Sequence, residues 1–300
     1  MTIQKQKCII LRCVPAIVFT FLAALSAYCF DWPQQSENID VLFAQKNGGS
    51  FSNGIVFNEN AEVKSSDTGK LLITLRSDSD MGWFDSALGN AVILFHKNQM
   101  LTVYGNLEKI DVQNGDQTIE SGDVLGISGH SGWAQDEKQC LEFQVLDTKM
   151  KAAINPVVLL NAEKENDAPA KVPARAKFPL GGLIAVSRTG NIQNISSGAS
   201  LKSGTYTLYM NAASKKMPRA VSVMVNGIVI ETTGYDALIQ DKNTLCVRGN
   251  KNYPFFAIYP DDKSMRLAEV SLSRGKNTID VSIKDSSGAE AALHTALNVF

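Results

Sequence analysis

The stretch LGNAVILFHKNQMLTVYGNLEKIDVQNGDQTIESGDVLGISGHSG, Leu88 to Gly132, restricts the possible folds more than any other part of this chain. NAVILFH is a continuous apolar run of strand length, MLTVYGNL alternates, and DVLGISG follows after a short interval. Gly, Asn and Asp stand between them; these residues turn a chain tightly because they tolerate positive φ or bond to their own backbone. Short β-branched runs with turn signals roughly every ten residues predict an all-β domain. KLLITLRS before this stretch and CLEFQVL after it extend the series. In CLEFQVL, Leu141, Phe143 and Val145 face one way and Cys140, Glu142 and Gln144 the other, because successive strand side chains alternate.

NAEKENDAPAKVPARAK, Asn161 to Lys177, has no apolar period and is rich in Ala, Pro, Lys and Glu, so residues 161–177 read as a linker. A chain of 300 residues is long enough for two domains on either side of it. Beyond the linker, GTYTLYM, AVSVMVNGIVIET, NTLCVRG, PFFAIYP and RLAEVSLSRGKNTIDVSIKDSSG all carry strand alternation. VNG between two β-branched runs predicts a type I′ hairpin. LSRGKNTIDVSIKDSSG reads as a strand pair around RGKN. About seven short strands in residues 178–300 predict a β-sandwich of immunoglobulin (Ig) type, without the Cys…Trp…Cys pattern of antibody domains.

The N-terminus carries Lys5, Lys7 and Arg12, then the uncharged apolar run VPAIVFTFLAALSAY, then small residues near Ala27; the first acidic residue is Asp31. That order reads as an export signal over residues 1–28. The run is shorter than the ~20 apolar residues of a membrane span. An uncleaved anchor and lipidation at Cys29 are the alternatives, although Tyr28 is larger than the residue that should precede a lipidated cysteine. A formal net charge of −1 and the lack of a basic cluster argue against nucleic acid as a partner. Cys8 and Cys13 lie inside the signal, and Cys140 and Cys246 lie in different predicted domains, so no disulfide framework is expected. Both read as buried thiols, and their spacing matches no metal knuckle.

Residues 52–160 resemble the lysostaphin-like (LytM-domain) zinc endopeptidases, which cut peptidoglycan cross-bridges. SNGIVF is similar to the family's His-x-Gly-Ile-Asp opening. The Leu88–Gly132 stretch is similar to its Gly-Asn, apolar strand, Tyr-x-His-Leu, Val-x-x-Gly-Asp and glycine-rich series. QCLEFQV is similar to its His-Leu-His-Phe-Glu, and INPVVLL to its closing Asn-Pro strand. The order and spacing of Gly89, Asn90, Tyr104, Leu107, Gly115, Asp116, Gly122, Gly126, Gly129, Gly132, Phe143, Asn155 and Pro156 carry the likeness. The resemblance implies a duplicated-hybrid-motif β-sheet domain over residues 29–160, followed by the Ig-like sandwich.

In that family the zinc ligands are the opening His and Asp and the second His of His-x-His. The remaining coordination position holds a water that the metal acidifies. Two further histidines assist proton transfer and transition-state charge. Carried onto this sequence, the ligand positions read Ser52, Val56 and Glu142, and the helper positions Asn106 and Cys140. Val56 has no lone pair, neutral Ser52 is a poor ligand, and Glu142 stands alone. No substitute set is evident. His96 reads as a strand-ending histidine bonded to backbone, His130 as a turn residue, and His294 as a lone histidine of the other domain. A nucleophilic Cys140 would need a base, whereas Glu142 beside it would raise the thiol pKa. The expected cleft lining is therefore Ser52, Asn106, Cys140, Glu142 and Gln144: polar, without a metal, and able to bind without cutting.

The resulting expectation is an exported protein of the periplasm or cell envelope with a catalytically dead LytM-type domain. It would bind peptidoglycan or a cell-wall amidase or hydrolase and need no cofactor. The alternative is an active zinc-dependent endopeptidase with a rebuilt metal site. A third reading takes residues 178–300 as an adhesin carrying a relic.

Overall fold

The computed structural model describes residues 30–34, 39–76, 86–132, 141–159, 181–211, 217–285 and 289–300. The export signal, the linker and Cys140 lie outside the described residues. What is described is almost entirely β.

In the N-terminal half, strands follow one another across a single antiparallel sheet. Gly69–Leu75 pairs with Asn90–His96, which pairs with Met100–Ile110, which pairs with Leu141–Asp147, which pairs with Ile55–Phe57. Val124–Ser128 covers the far end of the long Met100–Ile110 strand and also pairs with Glu62–Lys64. Alternation decides which side becomes core: Leu141, Phe143 and Val145 are all fully buried. They pack with Ile55, Phe57, Tyr104 and Leu107, and the Tyr104 and Phe143 rings sit 5.2 Å apart. The Tyr104 hydroxyl accepts from Ser66 N at 2.8 Å, so the phenol is satisfied inside the core.

The C-terminal half is a two-layer sandwich. One sheet runs Ile192–Ile195, Leu183–Ser187, Gly204–Asn211, Ser264–Leu272. The other contains Ala220–Val225, Ile228–Asp241, Thr244–Arg248, Gly275–Lys284 and Glu290–Val299. Asn226 and Gly227 take φ of +52° and +76°, the two positive values that a type I′ turn requires between the Ala220–Val225 and Ile228–Asp241 strands. Two expectations fail here. PFFAIYP is not a strand: Phe255–Ile258 closes one turn of α-helix after Pro254, and Phe255 and Ile258 point into the core. The strands flanking Arg274 do not pair with each other. Ser264–Leu272 joins one sheet and Gly275–Lys284 the other, so the short connection crosses between layers.

The two halves share hydrogen bonds. Ala152–Ile154 pairs antiparallel with Ala237–Ile239 of the Ile228–Asp241 strand, and Asn155 N donates to Asp236 O at 2.8 Å. Phe51 inserts its ring against Phe255 and Tyr259, with centroids 5.3 and 6.0 Å away. Lys46 and Asp262 form an ion pair at the rim of the same contact.

Candidate functional site

Directly opposed residues on antiparallel strands project from the same face. This places Val56, Glu142 and Gly105 in one row, and Gln144, Val103, Ile93 and Ile73 in the next. Leu146, Leu101, Phe95 and Lys70 make a third. The face is polar at its Glu142 end. Towards the outer strands it becomes apolar and open: Ile73 is 43% exposed and Phe95 39%.

At the polar end, the Gln144 amide donates to Glu142 Oε1 at 2.7 Å and accepts from Asn53 Nδ2 at 3.2 Å. Burial raises the Glu142 pKa, and the bond from Gln144 opposes the rise. Gly54 makes this packing possible. A Cβ there would stand 2.5 Å from Phe143 O and 2.8 Å from Gln144 Cγ, so only glycine lets the 52–54 turn lie against the Leu141–Asp147 strand. Ser52 is buried and its hydroxyl donates to Gly54 O at 2.9 Å, which spends it on holding that turn.

Asn106 lies elsewhere. It sits at φ +59°, its side chain donates to Ser131 O at 2.8 Å, and its backbone N–H donates to Leu88 O at 2.6 Å. It ties the glycine-rich turn near Ser131 to the end of the sheet. The structure thus joins Glu142, Gln144 and Asn53, sets Val56 opposite Glu142, and gives Ser52 and Asn106 local bonding tasks. Asn53 escaped the sequence reading. It neighbours Gln144 only through the turn, and its sole sequence signal is its place inside SNGIVF.

His96 is 2% exposed, with Nδ1 3.1 Å from Thr68 O and Nε2 2.7 Å from Thr102 Oγ1; burial pushes its pKa down. It ends its strand bonded to backbone, as expected. His130 is exposed, and His294 pairs with Asp280 at 2.6 Å in the other half. A surface hollow of about 710 Å³ is lined by Leu72, Ile73, Arg76 and Asn114 at the outer edge of the Gly69–Leu75 strand. It lies three strands away from Glu142.

Residues 50–156 match the model described as Peptidase family M23. Residues 50–156 form a peptidase family M23 domain. A separate family model matches residues 177–300. An uncharacterized protein of Treponema pallidum (strain Nichols) is 31% identical over 115 residues, which span 35% of this chain and 78% of that one. Among solved structures, the M23 domain is similar to a chain of the SpoIIQ–SpoIIIAH pore forming complex. The identity is 20% and the TM-score 0.37, over 47% of this chain and 98% of that chain. A zinc containing peptidase from Vibrio cholerae gives 23% identity and a TM-score of 0.33, over 39% and 36% of the two chains. The catalytic domain of a mutant of the prophage-encoded M23 protein EnpA from Enterococcus faecalis gives 17% and 0.33, over 41% and 88%.

The M23 resemblance implies zinc, and the side chains at the ligand positions do not fit it. A catalytic zinc takes three protein ligands with lone pairs directed at one point. Here Val56 supplies none, the Ser52 hydroxyl is committed to Gly54 O, and Glu142 is a single desolvated carboxyl held by Gln144. Among the described residues, no three His, Cys, Asp or Glu side chains stand together as a metal site.

Proposed function

We propose that this chain is an exported cell-envelope protein whose M23 domain binds peptidoglycan or a cell-wall hydrolase without cutting peptide bonds. The observation that carries the proposal is the chemistry of the three ligand positions. One is an aliphatic side chain, one is a buried neutral hydroxyl that donates to a turn carbonyl, and one is a single desolvated carboxyl. The remaining face suits an elongated ligand. Asn53 and Glu142, held by the buried Gln144, present an amide and a carboxyl at one end, and Ile93, Phe95, Leu101 and Ile73 offer apolar surface beyond them.

The test takes the chain without residues 1–28. Zinc content is measured by mass spectrometry, binding by co-sedimentation with purified cell walls and by pull-down from envelope extract, and cleavage by release of soluble muropeptides. Retention of wall or of a hydrolase, with neither zinc nor release, supports the proposal. One tightly held zinc per chain together with wall digestion overturns it in favour of a rebuilt metal site. Capture of neither wall nor hydrolase also overturns it.

A further inference from the structure

The Glu290–Val299 strand has one unfinished side. It pairs with Gly275–Lys284 from Lys284↔Glu290 to Gly275↔Val299 without a register shift. Among the described residues, its other side meets Ser200–Leu201, in parallel, at Asn298 and Val299, and the Gly198–Ala199 backbone just before it. Gly198 N donates to Ala296 O and Asn298 N donates to Ala199 O, which fixes the phase of the strand. The backbones of residues 296 and 298 point outward, so those of Glu290, Ala292 and His294 do as well. Among the described residues, no strand pairs with them. The strand has no proline, no lysine and no bulge, the features that normally discourage pairing at an exposed edge. The core beneath is incompletely covered at the same place. Leu297 and Thr295 are 2% and 4% exposed where the neighbouring segment closes over them, whereas Ala291 and Leu293 are only partly buried.

We propose that this edge pairs with the same strand of a second copy of the chain, antiparallel and centred on Ala292. Two-fold symmetry then determines every neighbour. Ala292 faces Ala292, and Glu290 faces the second copy's His294 on both sides of the axis, while each keeps a neighbour on the Gly275–Lys284 strand of its own chain, Glu290 accepting from Ser282 and His294 paired through Nδ1 with Asp280. Underneath, Ala291 faces Leu293 and covers it. Charge selects this register, because moving the centre by one residue sets Glu290 against Ala292 or Ala296 instead. Paired outward backbone groups supply the attraction, and two acid–base cross-strand pairs fix the alignment. The M23 site takes no part in this contact, so the proposal stands apart from the function proposed above.

The test is sedimentation of the whole exported chain across a concentration series, with circular dichroism to verify folding. The wild type should pass from monomer to dimer as concentration rises. Ala292→Pro removes an outward N–H that no described strand uses, so it should leave the fold intact and abolish the dimer. Glu290→Lys should raise the dissociation constant roughly tenfold, and adding His294→Glu together with Asp280→Asn, which removes the carboxylate that position 294 faces in its own chain, should restore it by reversing both pairs. A wild type that stays monomeric throughout overturns the proposal. So does a dimer that survives Ala292→Pro. A triple variant no tighter than Glu290→Lys overturns the register.

Discussion

Replacing Arg266 by methionine should unfold the sandwich far more readily than removing both members of its ion pair. Arg266 Nη2 lies 3.0 Å from Glu231 Oε2, with the two side chains 9% and 2% exposed. The guanidinium also sits 4.1 Å over the Tyr253 ring, and Glu231 Oε1 accepts from the Tyr253 hydroxyl and from Asn250 N. At an effective dielectric of 20, two charges 3 Å apart attract by about 5.5 kcal/mol, and the cost of burying both largely offsets that gain. The pair is therefore worth little on balance, but a lone Glu231 would keep its desolvation cost with only two neutral donors. Arg266→Met should cost about 3–5 kcal/mol. With a urea slope of about 1.5 kcal/mol/M, the transition should begin roughly 2–3 M earlier. In Arg266→Met with Glu231→Leu no charge remains, and the loss should shrink to about 1–2 kcal/mol, mostly from the Tyr253 hydroxyl left without its acceptor. Urea melts followed by circular dichroism measure both. A single variant that costs under about 1 kcal/mol, or a double variant worse than the single, would refute the reasoning.

Glu142 binds its proton more tightly in the folded chain than in the unfolded one, because burial raises its pKa. Its contribution is therefore most favourable at low pH and is lost as pH rises from the ordinary glutamate value of 4.5 through the raised one. Urea midpoints of Glu142→Gln, which keeps the acceptor for Gln144, should gain on wild type across that interval and run parallel above it. Gly54→Ala should cost about 1–3 kcal/mol, because Phe143 O is a backbone atom that cannot step aside; thermal melts would register it, and an unchanged midpoint would mean the turn can lift. Phe51→Ala empties a site that is 5% exposed between the halves and should cost about 3–5 kcal/mol. Calorimetry should show one transition in wild type and two in the variant. Ser52→His, Val56→Asp, Cys140→His and Glu142→His made together should restore one bound zinc per chain. Failure to take up zinc would mean that the backbone, too, has moved from the family arrangement.

The strands were legible because their signal is local. Alternation in CLEFQVL places Leu141, Phe143 and Val145 in the core with no knowledge of what they touch. Asn226-Gly227 announces its turn by chemistry alone. The failures share a different cause. PFFAIYP alternates, yet Phe256 stays exposed while Phe255 is anchored by Phe51 from the other half, a contact that no window of sequence contains. Arg274 sits in a convincing hairpin pattern, but which sheet each strand joins depends on distant partners. At the candidate site, the loss of histidines was legible from residue types. The bond between Asn53 and Gln144, 91 residues apart, was not.

The short strand Ala152–Ile154 has a mechanical consequence. It follows directly on the strand that carries Glu142 and Gln144, and its far side is laced to Ala237–Ile239. A tug on either half must shear that ladder before the halves can swivel, so the orientation of one is imposed on the other. A ligand seated over Glu142 and a molecule gripping the sandwich would therefore be held at a set distance and angle, as by a bracket and not by a tether.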